Sequence, residues 1–225
     1  MSHFVWAEAL MRLYQDLQPP PHLPNGIQWL YPQQQAPVQE VMQIFFNRFF
    51  NDGVPRRLIL GINPGRFGAG ATGVNFTATK QLQQFCGIDT ALPQQSELSA
   101  EFIYQMIEAY GGPARFYKDF FIGAVCPLGF VQAGKNINYY DDKALLQQVT
   151  PFITHSIQQL VTLPFDRRKV FCVGGEKNYK HLLRWNNQHQ WFNTVVPLPH
   201  PRFVMQYRRR FVADYINQYL QAFAD

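Results

Sequence analysis

The stretch RLILGINPGRFGAGATGVNF, residues 57–76, decides the fold. It begins as a short, uniformly apolar run and stops at Pro64 and Gly65, which reads as a strand over 57–62 entering a loop. Five glycines in that loop let backbone approach a ligand closely. Runs of the same kind occupy 120–126, 169–173 and 192–196. Strands that are apolar throughout, rather than alternating, need cover on both faces. Helical patterns lie between them: Phe102, Ile103, Met106, Ile107 and Tyr110 ahead of Gly111 and Gly112, a segment from Pro151 behind Thr150 as N-cap, then 176–185. A last helix from about Tyr207 carries Val212, Tyr215, Ile216, Tyr219 and Leu220 on one face. The expected architecture is α/β, a three-layer α/β/α sandwich around a central, mainly parallel four-stranded sheet with right-handed crossovers. Ligands of such sheets bind beyond the carboxyl ends of the strands.

Upstream, Trp6, Leu10, Leu13 and Leu17 recur at helical spacing behind Ser2, and Val38, Met42, Phe45, Phe46 and Phe49 do so ahead of Asn51, Asp52 and Gly53. Two helices are therefore expected before the first strand, joined by a proline-rich surface connection at 19–24. We read 1–225 as a single domain with a helical and proline-rich extension at about 1–55. Hydrophobic residues make up 47% of the chain against 16% charged, which excludes disorder for most of it. The longest apolar run, 120–131, is well short of the roughly 20 residues of a membrane span, and no basic segment with an apolar signal core opens the chain. A cytoplasmic protein is expected. Twenty Lys and Arg against 15 Asp and Glu give +5, which suits an anionic partner without identifying one. Cys86, Cys126 and Cys172 are too few and scattered for a disulfide framework, a tetrathiolate zinc site or an iron-sulfur cluster, and read as reduced thiols, the last two in the core. His3, His22, His155, His181 and His189 lack the paired spacing of a zinc site. No metal and no cofactor is expected.

Two strand ends carry chemistry. The loop at 61–76 has neither G-x-G-x-x-G nor the Lys-Ser/Thr of a P-loop, so phosphate cradling has no support. The other is PLPHPRFVMQYRRR, residues 197–210. Together they resemble the uracil-DNA glycosylase superfamily, most closely its single-strand-selective monofunctional members and their bacterial relatives. Residues 61–76 reproduce the family's first motif at its Gly, Asn-Pro-Gly, Phe-Gly, Thr-Gly-Val and final Phe without a gap. Cys126, Pro127 and Leu128, then Gly134, Lys135 and Asn136, then Val173 and Gly174 resemble further family segments in the same order, so the likeness runs from about Leu58 to the C-terminus. The resemblance implies that Asn63 positions the attacking water and that His200 stabilises negative charge on uracil O2. It implies that Phe76 stacks on the extruded base and that Gly61, Ile62 and Gly65 line the base pocket.

These roles suit the reaction. Breaking an N-glycosidic bond to uracil gives an anionic base and a cationic sugar, so a site must hold an anion and place a water. A neutral amide cannot act as a strong base, which leaves leaving-group stabilisation as the larger lever. Each residue also has a plainer reading: Asn63 as a turn residue before proline, Phe76 as core packing, His200 as a turn between two prolines. For Asn63 the sixteen-residue match outweighs the plainer one. The remaining glycines of interest, Gly174 and Gly175, fit phosphate binding or close strand-helix packing equally well.

The departures from the family pattern matter as well. The family's uracil-reading Asn falls at Ala124, with Gly123 beside it in place of a His. Alanine neither donates to O4 nor accepts from N3–H, so another amide is needed, with Asn75, Asn136 and Asn138 as candidates. Arg66 replaces a family Pro and either contacts a phosphate or is solvated. With the second motif shortened by two residues, Arg202 aligns with the family's DNA wedge, and Phe203, Met205 and Tyr207 are other wedge candidates. Arg208, Arg209 and Arg210, taken at the start of the last helix, point about 100° apart, so one or two phosphate contacts are expected; Arg208, Arg209 and Lys135 complete the candidate DNA surface. Lys80 and Lys135 are the nearest lysines to either loop and neither is placed for a Schiff base, so no lyase step is expected. The expected function is a monomeric, monofunctional glycosylase that removes uracil, and related deaminated bases, from single- or double-stranded DNA to start base excision repair. The rival from another class is a nucleic-acid-binding protein of the same fold without base-excision activity.

Overall fold

Each of the four apolar runs forms a strand of one sheet. A computed structural model describes residues 4–224, so Ser2 and His3 lie outside the described residues. The chain begins with α1 (Trp6–Gln15), β1 (Ile27–Leu30), α2 (Ala36–Phe49) and β2 (Arg56–Gly61), then α3 (Ala69–Thr72), α4 (Thr79–Cys86), α5 (Leu98–Tyr110) and α6 (Pro113–Asp119). There follow β3 (Phe120–Ala124), β4 (Gly129–Gln132), β5 (Lys135–Ile137), α7 (Lys143–Leu160), β6 (Phe165–Val173), α8 (Gly175–His189), β7 (Thr194–Leu198), α9 (Pro201–Tyr207) and α10 (Val212–Ala224).

The central sheet has the order β3-β2-β6-β7 and is parallel throughout. Leu58, Leu60, Phe120, Val170 and Val173 are fully buried, as strands covered by helices on both faces require. The α/β/α expectation therefore holds. The N-terminal helices share this core: Trp6 packs its ring 4.6 Å from that of Phe165 and donates its indole N–H to Val54 O at 2.8 Å. All three cysteines are free and buried. Among the described residues, no helix is long and apolar enough to cross a membrane.

Three expectations need correction. A second, antiparallel sheet in the order β1-β4-β5 was not foreseen, and β1 separates the two N-terminal helices. Its strands have three or four residues, too few for periodicity to register. The helix placed behind Thr150 begins eight residues earlier, where the Asp142 side chain accepts from Leu145 N at 2.7 Å. Pro151 sits inside α7 on its exposed side, where the carbonyl of Gln147 that loses its partner can be hydrated. Finally, the last helix is two helices. Arg208 ends α9 in a non-helical conformation and Arg209 opens a 3₁₀ turn before α10. The geometry of one continuous helix does not apply to the arginine run.

Candidate functional site

A parallel sheet brings all its carboxyl ends to one edge. Gly61 is in register with Ala124, Leu60 with Cys172, and Val173 with Leu198. Asn63, Gly174 and His200 therefore each lie one or two residues beyond a strand end on that edge. Only β6 separates β2 from β7, so at ~4.8 Å per strand their tips stand about 10 Å apart, room for one planar ring between two side chains. A cavity of about 370 Å³ opens there. Its wall includes Gly61, Ile62, Asn63 and Gly65 from the first loop and Asn75 and Phe76 from that loop's end. Ala124, Asn136, Asn138, His200 and Arg202 also line it. A larger cleft of about 550 Å³ runs between α1 and α7, beside Leu13, Leu17 and His155, and holds none of the candidate side chains.

Hydrogen bonds fix the Asn63 amide. Its Oδ1 accepts from Tyr139 N at 3.1 Å, and its Nδ2 donates to Ile137 O at 3.3 Å. Because a carbonyl only accepts, the assignment of O and N is unambiguous, and Oδ1 keeps a second lone pair. The Tyr139 hydroxyl donates to Asn178 Oδ1 at 2.7 Å, and Asn178 Nδ2 donates to Gly61 O and Val173 O at 3.3 and 3.2 Å. That fully buried amide ties the ends of β2 and β6 to the segment holding Asn63.

His200 is the N-cap of α9, its Nδ1 accepting from Arg202 N at 3.0 Å. An accepting Nδ1 places the proton of the neutral ring on Nε2, which remains a donor. Burial, helped by the Arg202 guanidinium, lowers its pKa to about 4, so the ring is neutral at physiological pH. Tyr219 of α10 donates its hydroxyl to Pro199 O at 2.5 Å and anchors the approach to His200.

Phe76 has φ +51°, a left-handed conformation unusual for a bulky residue. Its ring lies against Gly61, where a Cβ would come within 2.9 Å of Cε2. Glycine at the end of β2 thus makes room for an aromatic floor. Gly174 is also a close-packing glycine, since a Cβ there would meet Ile62 Cγ1 at 2.6 Å.

The charged and aromatic candidates divide. Arg66 turns inward, its backbone N–H and Nε both donating to Asn136 Oδ1 at 3.2 and 3.1 Å. Lys135, Arg202, Phe203, Arg208 and Arg209 are exposed, and the Arg208 guanidinium lies over the Phe203 ring at 5.7 Å. Met205 is buried at 4% exposure and is withdrawn as a wedge. Tyr207 is exposed. No lysine lines the cavity, and among the described residues no group of three or more His, Cys, Asp or Glu side chains gathers.

Sequence reasoning missed Glu97, Tyr139 and Asn178. Glu97 lines the cavity beside Gly65 and Gly68, where a Cβ on Gly68 would collide with its Oε2. Burial pushes its carboxyl up to about 7 against the pull of Arg202.

No curated protein matches the chain. The chain superposes over 98% of its length on SMUG2 of Pedobacter heparinus, covering 97% of that chain with a TM-score of 0.94 and 40% sequence identity. The family model described as the uracil DNA glycosylase superfamily matches residues 48–224. The chain belongs to the uracil DNA glycosylase superfamily.

Proposed function

We propose that this protein is a monofunctional DNA glycosylase that hydrolyses the N-glycosidic bond of uracil, and of related deaminated bases, in DNA. It acts as a cytoplasmic monomer of one domain and starts base excision repair. The observation that carries this is the meeting of Asn63 and His200, from the tips of two different strands, on one cavity floored by Phe76.

A base buried in a duplex cannot reach these groups, so it is first extruded or offered on a single strand. Once inside, it stacks on Phe76. The neutral His200 ring donates Nε2–H to O2, where negative charge grows as the N1–C1′ electron pair moves onto the base. A donor that is already neutral needs no proton transfer to bind that anion. Asn63 Oδ1, held by Tyr139 N, aims its spare lone pair at a water whose oxygen bonds to C1′ and whose proton leaves to solvent. A lyase step would need a lysine amine at C1′, and the absence of lysine from the cavity wall supports a monofunctional enzyme. Exposed Arg202 on the cavity wall, with exposed Arg208 and Arg209 in the turn after α9, supplies positive charge for the phosphate backbone.

The test incubates purified protein with oligonucleotides carrying uracil, hypoxanthine or xanthine, single- and double-stranded, and then cuts abasic sites with alkali. Release by the wild type, lost in Asn63→Ala, is expected. No release from any substrate would sink the proposal, and nicked strands before alkali would sink its monofunctional part.

A further inference from the structure

Uracil differs from cytosine at N3, a donor in one and a lone pair in the other, so a pocket that selects uracil needs a fixed acceptor at that edge. Ala124, on the wall at the end of β3, has no polar side chain. Three amides besides Asn63 line the cavity, and they are not equivalent. Asn136 spends its Oδ1 on Arg66. The side chain of Asn138 has no hydrogen-bond partner among the described residues, so nothing fixes its orientation. Asn75 is different. Its Nδ2 spends both hydrogens, on the Tyr14 hydroxyl at 3.2 Å and on Ile122 O at 3.3 Å. Ile122 is two residues before Ala124 on the same strand, so the Asn75 side chain is pinned to β3 beside the apolar gap. The Ile122 carbonyl can only accept, which fixes the amide with Nδ2 toward the strand and leaves Oδ1 with no protein donor among the described residues. Asn75 is only 9% exposed and precedes Phe76, whose left-handed turn brings both residues to the same cavity.

We propose that Asn75 is the specificity-determining residue of this pocket, its Oδ1 accepting N3–H of the bound pyrimidine at the wall that Ala124 leaves apolar, with Tyr14 as the positioning residue. This rests on the glycosylase reading of the cavity. An acceptor here bonds uracil and faces a lone pair in cytosine. Because Nδ2 has no hydrogen to spare, Asn75 reads N3 alone. Tyr14 belongs to α1, outside the 48–224 span of the family model, which gives the N-terminal helix a part in base selection. Burial pushes the Tyr14 hydroxyl up to about 12, so it stays protonated over the working range.

The experiment compares binding of single-stranded oligonucleotides with one 2′-fluoro-deoxyuridine or one 2′-fluoro-deoxycytidine, which resist hydrolysis, alongside uracil release from the ordinary substrate. Wild type should prefer the uracil probe by roughly 10- to 100-fold, the cost of leaving a buried polar group unpaired. Asn75→Ala should lose that preference and slow uracil release by a similar factor. Asn75→Ala/Ala124→Asn should regain at least about tenfold of it. Tyr14→Phe, which leaves Asn75 in place should the alanine variant fold poorly, should cut the preference by about 3- to 10-fold without changing affinity for undamaged DNA. Wild type with no preference, Asn75→Ala with the wild-type preference, a double variant no better than the single, or Tyr14→Phe with an unaltered preference would each overturn the inference. A wild type that prefers the uracil probe yet releases no base would refute the proposed activity while supporting Asn75 as the reader.

Discussion

Replacing His200 with Ala removes two things at once: the Nε2–H donor of a residue on the cavity wall and the cap on the first turn of α9. The two losses fall on different quantities. Loss of one preorganised donor to a developing anion costs about 10²- to 10³-fold in rate, about 2.7–4 kcal/mol. Loss of an N-cap costs about 0.5–2 kcal/mol of stability and leaves chemistry alone. His200→Asn separates them, because its carbonyl oxygen can accept from Arg202 N while its shorter side chain carries no donor to the place Nε2 occupies. Single-turnover uracil release and thermal melts should then show the Ala variant low in both and the Asn variant low only in rate. A pH series supplies the second half of the test. With its pKa near 4, His200 stays neutral and donating, so its titration should leave no break near pH 6.5. The series is best run in a Glu97→Gln background, which removes the other cavity group titrating near neutrality. A His200→Ala rate within about threefold of wild type, or a rate falling with a midpoint near pH 6.5, would refute the neutral-donor reasoning.

Glu97 makes a prediction of opposite sign about stability. Its folded pKa, about 7, lies above the ordinary 4.5, so the folded state holds a proton that the unfolded state has lost, and stability falls as pH rises from about 4.5 to 7. Glu97→Gln should therefore melt progressively higher than wild type as pH goes from 5 to 8, by up to about 3 kcal/mol, and an unchanged difference across that series would exclude a buried titrating carboxyl. Gly61→Ala places a methyl 2.9 Å from Phe76 Cε2 and should tilt the ring from its seat. It should lower uracil release by about tenfold or more while keeping a cooperative melt, and wild-type release would show that the base does not lie on Phe76.

The parts legible in the sequence share a property: each is specified within a short segment. Four apolar runs each announce a strand, although β6 starts earlier, at Phe165, and β7 runs through Pro197 to Leu198, and the loop at 61–76 carries its motif in contiguous residues. What stayed hidden is made by distant segments meeting. β1 is a strand only because it pairs with β4, a hundred residues away. Asn178 looks like a polar position near the start of a helix, and only the fold puts it under Gly61 and Tyr139. Glu97 lies between a loop and a helix with no local cue to the two glycines that make space for its carboxyl. Pro151 misled because proline at N1 is the commoner choice, and the Asp142 cap nine residues before it overrides it.

The same contrast explains how the pocket can lose a polar side chain at Ala124 without losing a polar wall. A strand-end residue is fixed by the sheet, whereas Asn75 sits in a loop and needs outside support to hold an amide in one orientation. Ile122 O supplies one support, a strand backbone already rigid in the sheet. Tyr14 supplies the other from a helix that packs on α2. An acceptor held at two points loses little freedom when a base arrives, so moving the amide from strand to loop keeps selectivity only if both supports are present. That requirement couples α1 to base choice and places the burden of selectivity on a buried tyrosine more than sixty residues away in sequence from Phe76.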